Sequence, residues 1–501
     1  MNALKLTAAL ALSLSFVTAG YSAHAETPST IHIFHHENVL GTSLELKVKA
    51  SSNAQAKRAE TAVLAEIDRE NRILSAWSPS SEFSRWTRTH NTPVRVSPEL
   101  FDVLSLFDRW REQTGGALDA SAETAIRAWK LAAVENRTPT AVELEKAVAI
   151  MQRPHWTLDP AHRTATHLDD APIALNSFAK SYIAGRAADR ALAAGATGVL
   201  LNIGGDIVLR GALTERVAIT DPRADAENDP ALDLIRLSNR TIATSGDYRR
   251  GFDIHGAHYS HIIDPRTAQA AEQVISSTVI ARDPATAGAL ATAFSVMTPA
   301  ESAHLAASTP GVDYLLVLND GQTIVSPDWS SRELPRILPA SFAQAKKPAQ
   351  ALDLLITLEL SRIEDPRYRR PYVAVWVEDA DHFPVRTLAL WFQKPRWLPE
   401  LKSWYHADQV RNLAEGTDLS TTVSSATRSP GKYTLRWDGK DNAGKPVKPG
   451  KYTILIEASR EHGTYSLMRQ EINWDGKTSS QFTLPGNKEI ASASLDYGKH
   501  N

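Results

Sequence analysis

The 501-residue chain contains no cysteine. Disulfides, thiolate metal sites, covalently attached haem and a lipid-modified N-terminal cysteine are therefore excluded. An excess of either charge is also missing. Lys and Arg number 55 against 57 Asp and Glu, a formal net charge of -2. That balance gives no reason to expect a nucleic acid or an acidic membrane surface as partner. Outside the N-terminal segment, no apolar run approaches the length of a membrane span.

What is present begins with an export-type segment. Lys5 gives a short positive start, residues 6–20 are apolar, and Ala23-His24-Ala25 fits a small-x-small cleavage site. The expectation is a signal peptide over residues 1–25, cleaved after Ala25, and a periplasmic protein with no membrane span thereafter. A chain of this length exceeds one ordinary core, so two or three domains are expected.

Residues 30–335 mix helices and strands without strict alternation, which indicates an α+β domain. Residues 55–76 read as an amphipathic helix with Val63, Ile67 and Leu74 on one side. Ser97-Pro98-Glu99 opens another, with Leu100, Val103, Leu104, Phe107 and Trp110 as its stripe and Gly115-Gly116 as its stop. A third helix is expected over about 177–194. Val199–Ile203 reads as a buried strand entering Gly204-Gly205-Asp206. Residues 336–352, rich in Pro, Ala and Lys, read as a linker. Beyond them, over 353–497, short strands separated by turn signals indicate an all-β sandwich. The strands are expected at Leu354–Leu360, Tyr372–Glu378, Thr387–Phe392, Tyr433–Trp437 and Tyr452–Ala458. Trp376, Trp391, Trp397 and Trp404 there read either as core or as a docking patch.

The most informative stretch is residues 244–292. A turn-rich Thr-Ser-Gly-Asp-Tyr is followed by a strand ending in His261-Ile262-Ile263-Asp264-Pro265-Arg266-Thr267. A β-rich run follows, then a helix opened by Asp283-Pro284. Upstream, in colinear order, stand Leu40-Gly41-Thr42, Leu74-Ser75-Ala76-Trp77, Thr114-Gly115-Gly116-Ala117-Leu118-Asp119, Ala174 to Gly185, and Asn202-Ile203-Gly204-Gly205-Asp206. Together these resemble the ApbE-like FAD:protein FMN transferases, over about 300 residues. Residues 353–497 resemble a periplasmic sandwich family found fused to such enzymes. Within them, residues 437–458 resemble an immunoglobulin-like hairpin of flagellar hook-cap proteins.

The resemblance implies a T-fold-like α+β domain that takes FAD as substrate and splits it. It implies transfer of the FMN half to a Ser or Thr of a target protein, release of AMP, and a need for Mg²⁺. The implied acceptor is a membrane-anchored redox protein. It makes His261 a candidate general base, since imidazole titrates near the right pH; a structural histidine at a strand end is the alternative. By the same resemblance Leu40, Trp77, Ala117, Leu118, Asp119 and Lys180 would contact FAD. Thr292 and the Ser177 carbonyl would hold the metal.

Three carboxylates of the family pattern are missing. Its Asp-Leu-Gly-Gly-Ile-Ala-Lys-Gly-Tyr-Ala-Val-Asp run is met here by residues 174–185, with Ala174 first and Gly185 last. Its Ala-Asp-Ala-Leu-Ala-Thr-Ala run is met by Ala287 to Ala293, with Gly288 in place of the Asp. On a helix, positions 288 and 292 share a face, so the pattern's Asp and Thr would reach one cation. Two further readings therefore stand beside the transferase: a degenerate flavin-binding module without turnover, and a docking sandwich carried by an inert first domain. Asp206 and Asp247 are candidates to replace the lost carboxylate. His32, His35 and His36 form a small cluster with weak metal-binding potential.

Overall fold

The structure is a computed structural model that describes residues 29–246, 251–333, 352–364, 368–392, 395–415, 424–425, 427–460 and 463–500. The expected signal segment 1–25, Asp247 and residues 336–351 of the expected linker lie outside the described residues.

An eight-stranded sheet forms the spine of the first part. Its order is Thr30–Val39, Thr42–Ala50, Gly198–Ile203, Asp206–Gly211, Thr241–Gly246, Val274–Ala281, Asp313–Leu318, Thr323–Val325, and each neighbouring pair is antiparallel. Strand Thr42–Ala50 shows the two-residue period directly: Leu44, Leu46, Val48 and Ala50 are buried while the residues between them are half-exposed. Strand Val274–Ala281 is buried almost throughout, because both faces of the sheet are covered. On one face lie the helices Asn53–Leu74, Ala179–Ala193 and Pro284–Val296, which share the largest apolar core with the sheet. On the other lie the hairpin Thr214–Ile219 with Asp233–Ser238 and the indole of Trp329.

The three helices expected from periodicity are present with shifted ends. The first runs from Asn53 to Leu74, because the Ser52 hydroxyl caps the Gln55 amide and Ser75 is extended. The second runs from Pro98 to Gln113 behind the Ser97 cap. The third is Ala179–Ala193, and its N-cap Phe178 offers no side-chain cap. One reading is corrected, and two helices are added. Thr244-Ser245-Gly246 is strand rather than turn, since these residues pair with Thr278, Ser277 and Ser276 of strand Val274–Ala281. Helices at Glu123–Val134 and Ala141–Met151, not anticipated, form a satellite core with the ribbon Gly251–Ile254 and Ala257–Ser260.

Helix Pro284–Val296 packs tightly against Ala179–Ala193. Two glycines explain how they come so close. A Cβ on Gly185 would lie 2.6 Å from the Pro284 Cγ, and one on Gly288 would lie 2.6 Å from the Ser181 Oγ. Such separations are well inside van der Waals contact, so both positions need a bare backbone. Two of the three missing carboxylates thus fall on one helix crossing.

The C-terminal part is a two-sheet sandwich. One sheet has the order Gly431–Trp437, Asp353–Leu360, Ile490–Gly498, Ser480–Leu484. The other has Ser424–Ser425, Pro384–Trp391, Tyr372–Glu378, Gly450–Ser459, Tyr465–Trp474. Trp437, Trp474 and Tyr497 stack between the sheets. A helix at Lys402–Glu415 covers the outer face of the second sheet, which is why every residue of Tyr372–Glu378 is buried. Trp376, Trp391 and Trp404 are buried, and Trp397 packs against the same apolar cluster. These indoles are core, not an exposed patch.

Candidate active site

One cavity of about 690 Å³ opens between the central sheet, the helix pair and the segment after Ala257–Ser260. That size suits a drug- or cofactor-sized ligand. Its lining mixes polar groups with Ile126, Val217, Ile219, Ile242, Ile262 and Ile263, so it can receive both a charged group and a flat apolar one. Asp119, Ser177, Lys180, His261 and Thr292 all line it.

Asp119 arrives there through a local stop. Gly115 and Gly116 have φ of 57° and 86°, and the Gly116 amide donates to Arg111 O at 2.8 Å, ending the helix. Ala117 and Leu118 then turn into the main core, 2 % and 1 % exposed, and only Asp119 reaches the cavity. Its Oδ1 accepts from the Ser121 amide at 2.7 Å and the Ser121 hydroxyl at 2.6 Å. Its Oδ2 meets the Arg111 Nε at 2.6 Å. The carboxylate is therefore fixed and charge-compensated, a wall rather than a free ligand. The nearby Asp108 carboxyl, which accepts from the Trp156 indole, is pushed upward from the ordinary carboxylate range by partial desolvation.

Helix Ala179–Ala193 begins at the cavity, with Asn176, Ser177 and Lys180 on the lining. Its first-turn amides have no side-chain cap, which leaves a partial positive charge beside the Lys180 ammonium. The Lys180 Nζ lies 3.6 Å from Asp206 Oδ2. Opposite stands the turn Gly204-Gly205, with φ of 58° and 98°. Both positions favour glycine, and no atom lies within 4 Å of a Cβ built on Gly205. A phosphate can approach such bare backbone closely.

His261 follows strand Ala257–Ser260, and the Ser260 hydroxyl accepts the Ile262 amide at 3.0 Å. Asp264 is used locally. Its carboxylate caps the Arg266 amide at 2.8 Å and grips the same residue's guanidinium at 2.9 Å. It makes a turn and does not line the cavity.

The structure does not bring four of the resemblance's FAD contacts to this cavity. Ala117 and Leu118 are core residues for the reason given. Leu40 sits in a tight turn with φ of 49°, packed against the main core. Trp77 stands beyond the end of helix Asn53–Leu74 with 88 % of its surface exposed. Conversely, Asn176, Asn202, Asp206, Val217 to Thr220, and Thr244 to Gly246 do line the cavity. Of these only Asp206 was proposed from sequence. The Asn-Ile-Gly-Gly-Asp turn carried a signal for Asn202 as well, whereas the hairpin bearing Val217 carried none.

The chemistry of the donors tests the metal. The Thr292 hydroxyl donates to Ser177 O at 3.1 Å, so these two oxygens are adjacent. The carboxylate expected beside them is absent, and its room is filled. The Ser181 hydroxyl stands 2.6 Å from where a residue-288 Cβ would lie and donates to Asp206 Oδ2 at 2.7 Å. Ser181 replaces a glycine of the family run. Asp206 itself is shared between Ser181 and Lys180. Mg²⁺ demands near-octahedral oxygen ligands, including one or two carboxylates. The residues present do not fit Mg²⁺ at the position the resemblance implies. Elsewhere, His36 pairs with Glu60 at 2.9 Å and burial holds His35 below the ordinary imidazole range. Among the described residues no cluster of three His, Cys, Asp or Glu side chains is arranged to hold a metal.

Residues 40–316 match the model of the ApbE family, and residues 353–492 match a family described as a predicted periplasmic protein, DUF2271. A protein of Vibrio cholerae serotype O1 named FAD:protein FMN transferase is 30 % identical over 267 residues, which is 52 % of this chain and 79 % of that protein. A Klebsiella pneumoniae protein of the same name is 28 % identical over 58 % of this chain and 86 % of its own length. Among solved structures, the ApbE protein of Thermotoga maritima superposes with a TM-score of 0.55 at 28 % identity, covering 61 % of this chain and all of that one. The flavin transferase ApbE of Vibrio cholerae does so with a TM-score of 0.53 at 26 % identity, again over 61 % of this chain and all of that one.

Proposed function

The chain belongs to the ApbE family, and on that premise we propose that it is an FAD:protein FMN transferase whose FAD occupies the cavity lined by Asp119, Lys180 and His261. The supporting observation is the meeting, in one cavity, of a cationic helix start, a bare-backbone turn and a histidine. FAD's diphosphate would lie against Lys180, the uncapped first turn of Ala179–Ala193 and the side-chain-free surface of the Gly204-Gly205 turn. The hydroxyl of an acceptor Ser or Thr would attack the phosphorus on the FMN side. The phosphoanhydride P–O bond breaks, AMP leaves with the bridging oxygen, and a phosphoester to FMN forms. His261 takes the hydroxyl proton. Little covalent work falls to the protein in such a transfer; positioning and charge neutralisation carry it. Lys180 and the helix start supply positive charge where the leaving phosphate gains negative charge. Mg²⁺ dependence is the part of the family pattern that these residues do not support, and no step here passes through a cation.

The proposed acceptor is a membrane-anchored redox protein with a Ser or Thr in a short recognition segment. The proposed location is the periplasm, after cleavage following Ala25. In support, the C-terminal domain matches a family described as periplasmic, and no described helix is long and apolar enough to cross a membrane.

A second reading, a flavin-binding module without turnover, draws on Gly288 and Ser181. One experiment separates the two. Residues 26–501 are incubated with FAD and a Ser/Thr acceptor peptide, with and without Mg²⁺. The transferase yields AMP together with a peptide heavier by the FMN group. Bound FAD with neither product establishes the module instead.

A further inference from the structure

The C-terminal sandwich meets the first domain at two places that are joined along the chain to segments beside or in the cavity wall. The first is the connection between strands Thr214–Ile219 and Asp233–Ser238, residues 220–232. It lies along Gly431–Trp437, the edge strand of one sandwich sheet. The Glu227 amide donates to Thr434 O at 2.8 Å. The Asn228 side-chain amide behaves as a strand neighbour would. It donates to Arg436 O at 2.7 Å and accepts the Arg436 amide at 2.7 Å. The edge's carbonyls at 434 and 436 and its amide at 436 are thus paired.

Arg436 adds charge to this pairing. Its guanidinium meets Asp229 at 2.6 Å and Asp225 at 3.2 Å from the loop, and Asp353 from its own domain. The strand that leads into this loop gives Val217, Ala218, Ile219 and Thr220 to the cavity.

The second contact is at Glu37, which meets Arg370 at 2.6 Å and accepts from the Thr427 hydroxyl. Glu37 precedes the turn into Thr42. The Thr42 side chain lies 2.8 Å from where a Gly204 Cβ would be, and Ser43 O accepts the Gly204 amide at 3.3 Å. Gly204 and Gly205 line the cavity. Both contacts are therefore connected to the lining, the first along the 220–232 loop and the second through Thr42 and Ser43, on separate elements.

We infer that the C-terminal sandwich is a brace for the FAD cavity, with Arg436 as a positioning residue that fixes the Val217–Thr220 wall through the 220–232 loop. The inference rests on the FAD reading above for its ligand but not for its mechanics. A braced wall is ordered before FAD arrives, so less ordering cost falls on binding. Releasing it loosens the cavity without removing any group that touches FAD.

The test uses the full mature chain with Arg436→Ala, Arg436→Lys and Asn228→Ala. FAD affinity is measured by flavin fluorescence, and backbone hydrogen exchange is followed over residues 214–232. Arg436→Ala is expected to raise the FAD Kd about tenfold and to speed exchange over 214–220, with kcat at saturating FAD changed less than twofold. Asn228→Ala is expected to act in the same direction, and Arg436→Lys to recover part of the loss. The unfolding transition of the sandwich checks that the variants fold. Faster exchange at unchanged Kd in both alanine variants overturns the proposal, as does unchanged exchange over 214–220. If the wild-type chain binds no FAD, the functional reading fails, and the exchange data still decide the brace.

Discussion

Restoring the missing carboxylate is the natural repair of the cation site, and the structure predicts that it fails alone. Gly288→Asp places a Cβ 2.6 Å from the Ser181 Oγ, 3.1 Å from its Cβ and 3.2 Å from the Phe178 Cα. The last is backbone and cannot swing away. Overpacking of this kind costs about 1–3 kcal/mol. For a domain of this size about 2 kcal/mol lowers Tm by roughly 3 °C. Pushing Ser181 aside also threatens its 2.7 Å bond to Asp206, a charged hydrogen bond worth about 1.5–3 kcal/mol. The double variant Ser181→Gly/Gly288→Asp removes the two nearest contacts. It costs about 0.5 kcal/mol in helix propensity at position 181, removes the Ser181–Asp206 bond and returns a carboxylate to the face of Thr292. Mn²⁺ binding followed by electron paramagnetic resonance, without turnover, reads the outcome. The single variant should melt several degrees lower and bind Mn²⁺ no better than wild type. The double variant should bind Mn²⁺ more tightly than either the single variant or wild type, without regaining the wild-type Tm, because it has lost the Ser181–Asp206 bond. Tight Mn²⁺ binding by Gly288→Asp alone, with an unchanged Tm, would refute the claim that Ser181 fills this position.

Three further outcomes are expected. His261→Gln should slow FMN transfer by about 10²–10⁴-fold, the range of a lost general base, with FAD affinity changed much less; steady-state kinetics beside direct binding checks it. Lys180→Gln should weaken FAD binding by about 10–100-fold, as for a lost charged hydrogen bond, read by flavin fluorescence. In the cluster that joins helices Asn53–Leu74 and Ala179–Ala193, the Arg69 guanidinium bonded to Glu66 holds its carboxyl down to about 2 from the usual 4.5. A depressed carboxylate stabilises above its unfolded value, and that stability is lost as pH falls from 4.5 toward 2. The loss amounts to about 3 kcal/mol at most. Denaturant melts across that window should show it, and Glu66→Gln should flatten it.

Much of the fold was legible because burial and period agree. The stripe of Leu100, Val103, Leu104, Phe107 and Trp110 is wholly buried, and the Ser97 and Asp283 caps stand where the sequence put them. The cavity was legible only in part. Asp119, Lys180, His261, Ser177 and Thr292 meet there, although they lie far apart in sequence. Ala117 and Leu118 illustrate the limit. They adjoin Asp119 in the chain, but the segment turns through the core before reaching the cavity, and a motif does not say which of its residues face inward. Ser181 shows the other limit. Its hydroxyl matters because another helix brings Gly288 against it, a juxtaposition that periodicity within either helix cannot report.

The most direct measurement is a crystal structure of the mature chain grown with FAD. The account predicts the diphosphate between Lys180 and the Gly204-Gly205 turn, with His261 facing the phosphorus on the FMN side. FAD seated anywhere else, or this hollow left to solvent at saturating FAD, would contradict it.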